Sequence, residues 1–228
     1  MTLQARAQGL ALEVDEVLRG ALALGVLEAE HIRLDPLPPA FDEECDRVSA
    51  QLVTAFAGKS AADIPGVAET RALFHRLNLD PTKTRPSSEA LLRRVLQGKG
   101  LPRVNPAVDV CNLCSLEAQL PLGLYDREQI RGGITSRLGA PGEGYGGIRK
   151  NRVHLEGRLL LADAEGPFGA PTSDSARTSV SPRTRHLAVV VFCPIDRAGA
   201  HLSTGLERLA GLLTRYCSAG ISSVRVVR

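Results

Sequence analysis

The chain predicts an α+β fold, and three observations carry that prediction. Helical periodicity dominates the first half, between residues 41 and 116. A glycine-rich run of short strands and turns follows, from Gly123 to Asp163. One stretch, Leu187 to Phe192 within His186–Cys193, is apolar throughout, as a strand covered on both faces requires. Helices and strands are segregated rather than alternating, which separates this class from a doubly wound sheet.

The elements follow in order. Leu18 to Ile32 reads as strand, with Ala21–Leu27 as its apolar centre. The prolines between Asp35 and Pro39 make a connection. Phe41, Cys45, Val48, Leu52 and Phe56 recur every three or four residues and predict a helix over 41–56. Ile64-Pro65-Gly66 breaks the chain before a second helix over Val67–Leu77. Asp80 to Pro86 is a stiff polar loop, and Pro86 opens a third helix. That helix turns Leu91, Leu92, Val95 and Leu96 inward and Arg93, Arg94 and Gln97 outward, with Glu89 and Arg93 as a surface pair worth a few tenths of a kcal/mol. A fourth helix spans Pro106–Leu116. Ala162 to Pro182 reads as one long irregular loop, polar enough to carry function. Ser203–Tyr216 is an amphipathic helix capped by Ser203 or Thr204, and Val224–Val227 is a closing edge strand. A single domain is expected over 16–228, preceded by an extension over 1–15.

Composition narrows the function classes. At 43% hydrophobic and 23% charged the chain is an ordinary globular one, and with no Trp its core must be aliphatic. Five irregularly spaced cysteines do not make a disulfide framework, so a reducing, cytoplasmic setting is expected. No signal peptide and no membrane span are expected. Cys111-Asn-Leu-Cys114 lacks a second pair and reads as core packing, so no metal and no cofactor are expected. The scattered histidines fit neither a metal site nor a hydrolase triad. Gly142–Gly147 has the glycines of a phosphate loop without its lysine and reads as a turn.

Two features point to function. Lys83, Arg85, Arg93, Arg94, Lys99 and Arg103 place six basic residues in 21 positions, opposed only by Glu89. They form either a solvated helix face or a phosphate-contacting patch. Gly169 to Thr178 gathers hydroxyls, Asp174 and Arg177 in one loop, which either lines a pocket or holds its own turn.

Arg103-Val-Asn-Pro-Ala-Val-Asp-Val-Cys-Asn112 resembles the pattern Arg-x-Ile-Asn-x-Val-Val-Asp-Ile-Thr-Asn of the phenylalanyl-tRNA synthetase beta subunit. Leu116-Glu117, Pro121-Leu122 and Tyr125-Asp126 resemble its Leu-Glu-x-Gly-Gln-Pro-Leu-His-Ala-Phe-Asp. Leu161-Ala-Asp163, Gly166-Pro167, Gly169 and Asp174-Ser175 follow its next motif in order, and Asp80 to Glu89 resembles the signature of free-standing B3/B4 proteins. The chain thus resembles the B3/B4 domain, the tRNA-editing module of that subunit. The resemblance implies a three-layer β/β/α sandwich with a cleft between its B3 and B4 parts. It implies tRNA or aminoacyl-tRNA as partner, and hydrolysis of a mischarged aminoacyl ester by a positioned water, without any tRNA-charging activity. It places Asn112, Glu117, Tyr125, Asp126, Thr172, Asp174 and Ser175 in the cleft, with Lys83, Arg85, Arg93 and Arg94 on phosphate; the catalytic residues stay unassigned. Two positions depart from the pattern. Gly123 stands where the synthetase has His, and Thr172-Ser173 stands where it has Gly-Gly-Glu, with Asp174 the nearest carboxylate. An RNA-binding module without catalysis, and a pocket for an amino acid or other small metabolite, remain open beside the editing reading.

Overall fold

A computed structural model describes residues 9–148 and 151–228. In chain order it contains β1 (Leu12–Val14), β2 (Leu22–Glu30), α1 (Pro39–Ala55), α2 (Pro65–Arg76), α3 (Ser87–Leu96), α4 (Pro106–Ala118), β3 (Leu122–Asp126), β4 (Ile134–Leu138), β5 (Gly144–Gly146), β6 (Arg152–His154), β7 (Leu159–Asp163), β8 (Gly166–Gly169), β9 (Leu187–Pro194), α5 (Ala200–Cys217) and β10 (Gly220–Val227).

The middle layer is the antiparallel sheet β10-β2-β9-β3. Period-2 alternation sends its side chains to two different cores. On β2 and β9, Leu27, Ala29, Val189 and Val191 join the helices in one core. Their neighbours Leu24, Val26, Val190 and Phe192 join the second sheet, β1-β4-β7-β8, in another. All eight residues of β9 are buried, because a layer lies on each face. The chain is therefore the three-layer β/β/α sandwich. Gly25 permits the close approach of α5, since a Cβ there would lie 2.9 Å from a methyl of Leu202.

Four boundaries differ from expectation. The long loop expected over 162–182 contains β8, which pairs with β7 across a bulge; its Gly and Pro content concealed a four-residue strand. Helix α5 begins at Ala200 with Gly199 as its N-cap, so neither Ser203 nor Thr204 caps it. The extension drawn over 1–15 contributes β1 from residues 12–14, paired in parallel with β4, and Leu10, Leu12 and Val14 are buried in the inter-sheet core. Residues 1–8 lie outside the described residues. The edge strand expected over 224–227 is longer, Gly220–Val227, and carries a bulge between Ile221 and Ser223.

Candidate functional site

A concavity bordered by two of the expected cleft residues lies where α3, α4 and β3 meet the loop after β8. It has a volume of about 290 Å³. Its α4 wall is set by the helix start. Asn105 accepts the Val108 amide at 3.0 Å and Pro106 follows it in the first turn, a strong stop-and-start signal. One helical face then presents Val108, Cys111, Asn112 and Ser115 to the cavity. The α3 wall supplies Ser87 and Leu91, and β3 supplies Leu122 and Leu124. Val104 and Ile148, exposed at 52% and 43%, stand at the rim, which makes the mouth apolar.

Asp174 is the acidic member of the lining. Burial pushes its carboxyl up to about 7. The Tyr125 hydroxyl donates to its Oδ1 at 2.9 Å, and the Ala170 amide also donates to the carboxyl. Tyr125 itself is fully buried between the sheets, edge-on to Phe168 at 4.9 Å. Its hydroxyl fills the space beside two glycines. A Cβ on Gly123 would lie 1.9 Å from it and one on Gly169 would lie 2.2 Å from it. The Ser87 Oγ, on the opposite wall, is buried without a hydrogen-bond partner. The Cys111 thiol is pushed well up by burial and is no nucleophile at neutral pH.

Of the seven expected cleft residues, the cavity brings together Asn112 and Asp174. Tyr125 stands behind Asp174 as its hydrogen-bond donor. Glu117 is elsewhere. It lies five residues past Asn112, about 140° around the helix, and faces α5, where Arg208 Nε donates to it at 3.0 Å. Asp126 is buried and saturated, accepting the Thr184 hydroxyl at 2.6 Å and the Glu128 amide at 3.0 Å. Ser175 is buried in its loop, where its hydroxyl accepts the Arg177 amide. Thr172 lies in the turn after β8, outside the lining. Ser87, Cys111 and Ser115 were missed. Helical spacing from Asn112 signals the last two; Ser87 carries no such signal, since its place depends on how α3 packs.

The basic residues divide in the same way. Arg85, Arg93 and Arg94, with Lys99, border a shallow concavity of about 400 Å³ on the outer side of α3. Lys83 is exposed on the preceding loop, outside that concavity. Glu89 is not the surface partner expected of it. It is 1% exposed and receives both Arg71 nitrogens and Arg93 at 2.8 Å, with Arg85 at 3.6 Å. Burial works to raise its carboxyl, and the Arg71 and Arg93 hydrogen bonds outweigh it, holding it below the usual range.

Residues 69–218 match the B3/4 domain. The chain belongs to the B3/4 domain family. Its curated relatives include the phenylalanine–tRNA ligase beta subunits of Chromobacterium violaceum, 24% identical over 82% of this chain and 22% of that protein, and of Streptomyces avermitilis, 30% identical over 65% of this chain and 16% of that protein. The beta subunit of Mycobacterium leprae is 46% identical over a shorter stretch, 23% of this chain and 6% of the relative. The B3/4 chain thus spans about a fifth or less of the length of these relatives. Among solved structures it resembles an N-terminal fragment of the phenylalanyl-tRNA synthetase beta subunit from Pyrococcus horikoshii, with a TM-score of 0.51 and 14% identity, covering 100% of this chain and 57% of that one. That likeness concerns the fold. Among the described residues no helix is long and apolar enough to cross a membrane, and no three metal-binding side chains cluster.

Proposed function

We propose that this B3/4 domain binds tRNA or aminoacyl-tRNA, with phosphates on the outer side of α3 and the aminoacyl end in the cavity, where the ester is hydrolysed by a positioned water. The observation that carries the reading is the double use of α3. Its inner side gives Ser87 and Leu91 to the cavity, and its outer side gives Arg93 and Arg94 to the basic concavity, so a chain lying along the arginines reaches the cavity mouth. The family's beta-subunit relatives support the choice of partner. Water rather than a side chain attacks in this scheme, because among the described residues the lining holds no histidine and Cys111 stays protonated. Catalysis would then come from holding the ester and water in line, which can supply several kcal/mol.

Two measurements test it. Binding of total tRNA should weaken steeply with salt, and Arg94→Glu should weaken it several-fold and flatten the salt slope by about one unit or more. Arg94 suits this test because its Nε bonds only the exposed Gly100 carbonyl, whereas Arg93 is tied to buried Glu89. Deacylation should then be assayed across a panel of mischarged tRNAs. Unchanged tRNA affinity and salt slope in Arg94→Glu, or no turnover of any ester at micromolar protein, would remove the corresponding half of the proposal.

A further inference from the structure

The acids buried in this chain share a habit that Asp174, half-buried at the cavity wall, breaks. Glu28 faces Arg127 at 3.4 Å and Arg225 at 2.9 Å. Glu89 faces Arg71 and Arg93. Asp163 faces Arg177 at 2.8 Å, and Asp109 has Arg103 within 3.8 Å. Asp126 has no arginine, but a hydroxyl and an amide occupy both of its oxygens. Asp174 has a neutral phenol, a backbone amide and, among the described residues, no cation. A carboxyl partly withdrawn from water without a counter-charge tends to stay neutral or to be completed by a ligand that brings the positive charge. Asp174 borders a cavity, so the ligand can reach it.

We propose that the cavity recognises the protonated α-amine of an amino-acid ester, with Asp174 as its counter-charge, and discriminates against the free amino acid. This deepens the reading above, on which it rests only for the natural carrier of the ester. The discrimination follows from the lining. Among the described residues no Lys, Arg or His borders the cavity. The carboxylate of a free amino acid would meet no cation among the described residues and would stand near Asp174, a like charge. Esterification removes that charge and leaves the ammonium. Ser87 Oγ, buried and unpartnered, offers a hydrogen bond to a polar ester oxygen. Leu91, Leu122, Leu124 and Val180 form the apolar surface for the amino-acid side chain.

The pairing has a pH signature. The titratable groups packed around Asp174 are Cys111 on α4, Tyr125 on β3 and Tyr145 on β5, and burial raises all three, so they stay neutral through pH 8. Asp174 takes up a proton as the pH falls through about 7 and then cannot pair with an ammonium. An α-amino group loses its proton near pH 7.7. Ester affinity should therefore peak between about 7 and 8.

The test is calorimetric titration of the intact chain with the methyl esters of the proteinogenic L-amino acids, then with the N-acetyl ester and the free acid of whichever binds. At least one ester should bind. Its N-acetyl derivative and its free acid should each bind at least tenfold more weakly. Affinity should fall about tenfold from pH 7.5 to 5.5, and Asp174→Asn should remove both the affinity and its pH dependence. If that variant fails to fold, the N-acetyl and free-acid comparisons on the unaltered chain decide alone. Three results would overturn the proposal: no methyl ester binds, the N-acetyl ester binds as well as its parent, or the free acid does. Esters that bind while tRNA does not would end the RNA reading and leave this inference standing.

Discussion

At the residue scale, Asp174 and Tyr125 act as one unit. Folding holds the Asp174 carboxyl neutral up to about pH 7, while the unfolded chain releases that proton near pH 4. The folded state therefore binds more protons than the unfolded one across this window. Stability from the neutral form is fully present below about pH 4 and is lost as the pH rises through 7. Asp174→Asn keeps a neutral group at every pH. Its melting temperature relative to the unaltered chain should rise between pH 5 and pH 8, by roughly 2–4 °C for each kcal/mol. An equal difference at both values would contradict this role. Tyr125 makes a second prediction. Because a Cβ on Gly123 meets the phenol oxygen, Gly123→Ala should cost about 1–3 kcal/mol. The same substitution in a Tyr125→Phe background should cost less, as a double-mutant cycle by urea unfolding would reveal. Strictly additive losses would show that the two positions do not share that space. The departure at Gly123 was legible in the sequence. The Tyr125 hydroxyl in that space was not, because strand alternation puts the two residues on one face without telling which way the ring leans.

At the element scale, α3 shows where sequence reading succeeds and where it stops. Its span, its inward leucines and valine, and its basic outer side all followed from helical spacing. Spacing also presented Glu89 as a surface partner of Arg93. In the folded chain Arg71 arrives from α2, 18 residues earlier, and makes Glu89 a buried hub. Tertiary placement decides that, and no local pattern encodes it. Glu89→Ala should cost about 3 kcal/mol or more, since it strands arginines around an emptied site. Glu89 also contributes to acid sensitivity. Its carboxyl is held below the usual range, so its contribution is present at neutral pH and is lost as the pH falls through the folded value. Glu89→Gln should therefore flatten the acid limb of the stability curve. A limb of unchanged steepness would count against the hub. The cleft residues divided for a similar reason. Asn112 faces the cavity from its helix, but Glu117 and Asp126 entered by motif position rather than by facing: Glu117 pairs with Arg208 on α5, and Asp126 with Thr184 before β9.

At the scale of the whole molecule, the central sheet joins two cores that share β2 and β9 but no side chains. Leu24 and Leu27 are three residues apart on one strand and belong to different cores. Each is fully buried, so Leu24→Ala and Leu27→Ala should each cost about 2–5 kcal/mol. If the sheet couples the layers, both should lower the same single calorimetric transition. Two transitions, each moved by one variant, would mean the layers melt apart. This layering was legible from the uninterrupted apolar run of β9. The small β5–β6 sheet and β8 were not, because strands of three or four residues rich in glycine look like turns.

The bulge in β10 has a consequence for how copies of the chain meet. The central sheet has two rims. The β3 rim lies under the loop, with the Asp126 amide donating to the Thr178 carbonyl. The β10 rim has no neighbouring strand among the described residues. A straight rim of that kind invites a second molecule to add its own strand, and then a third. Between Ile221 and Ser223 the backbone slips out of register, and the added twist breaks the even row of amides and carbonyls that such stacking needs. The irregularity at one end of the last strand thus removes part of the even hydrogen-bonding row that edge-to-edge growth needs.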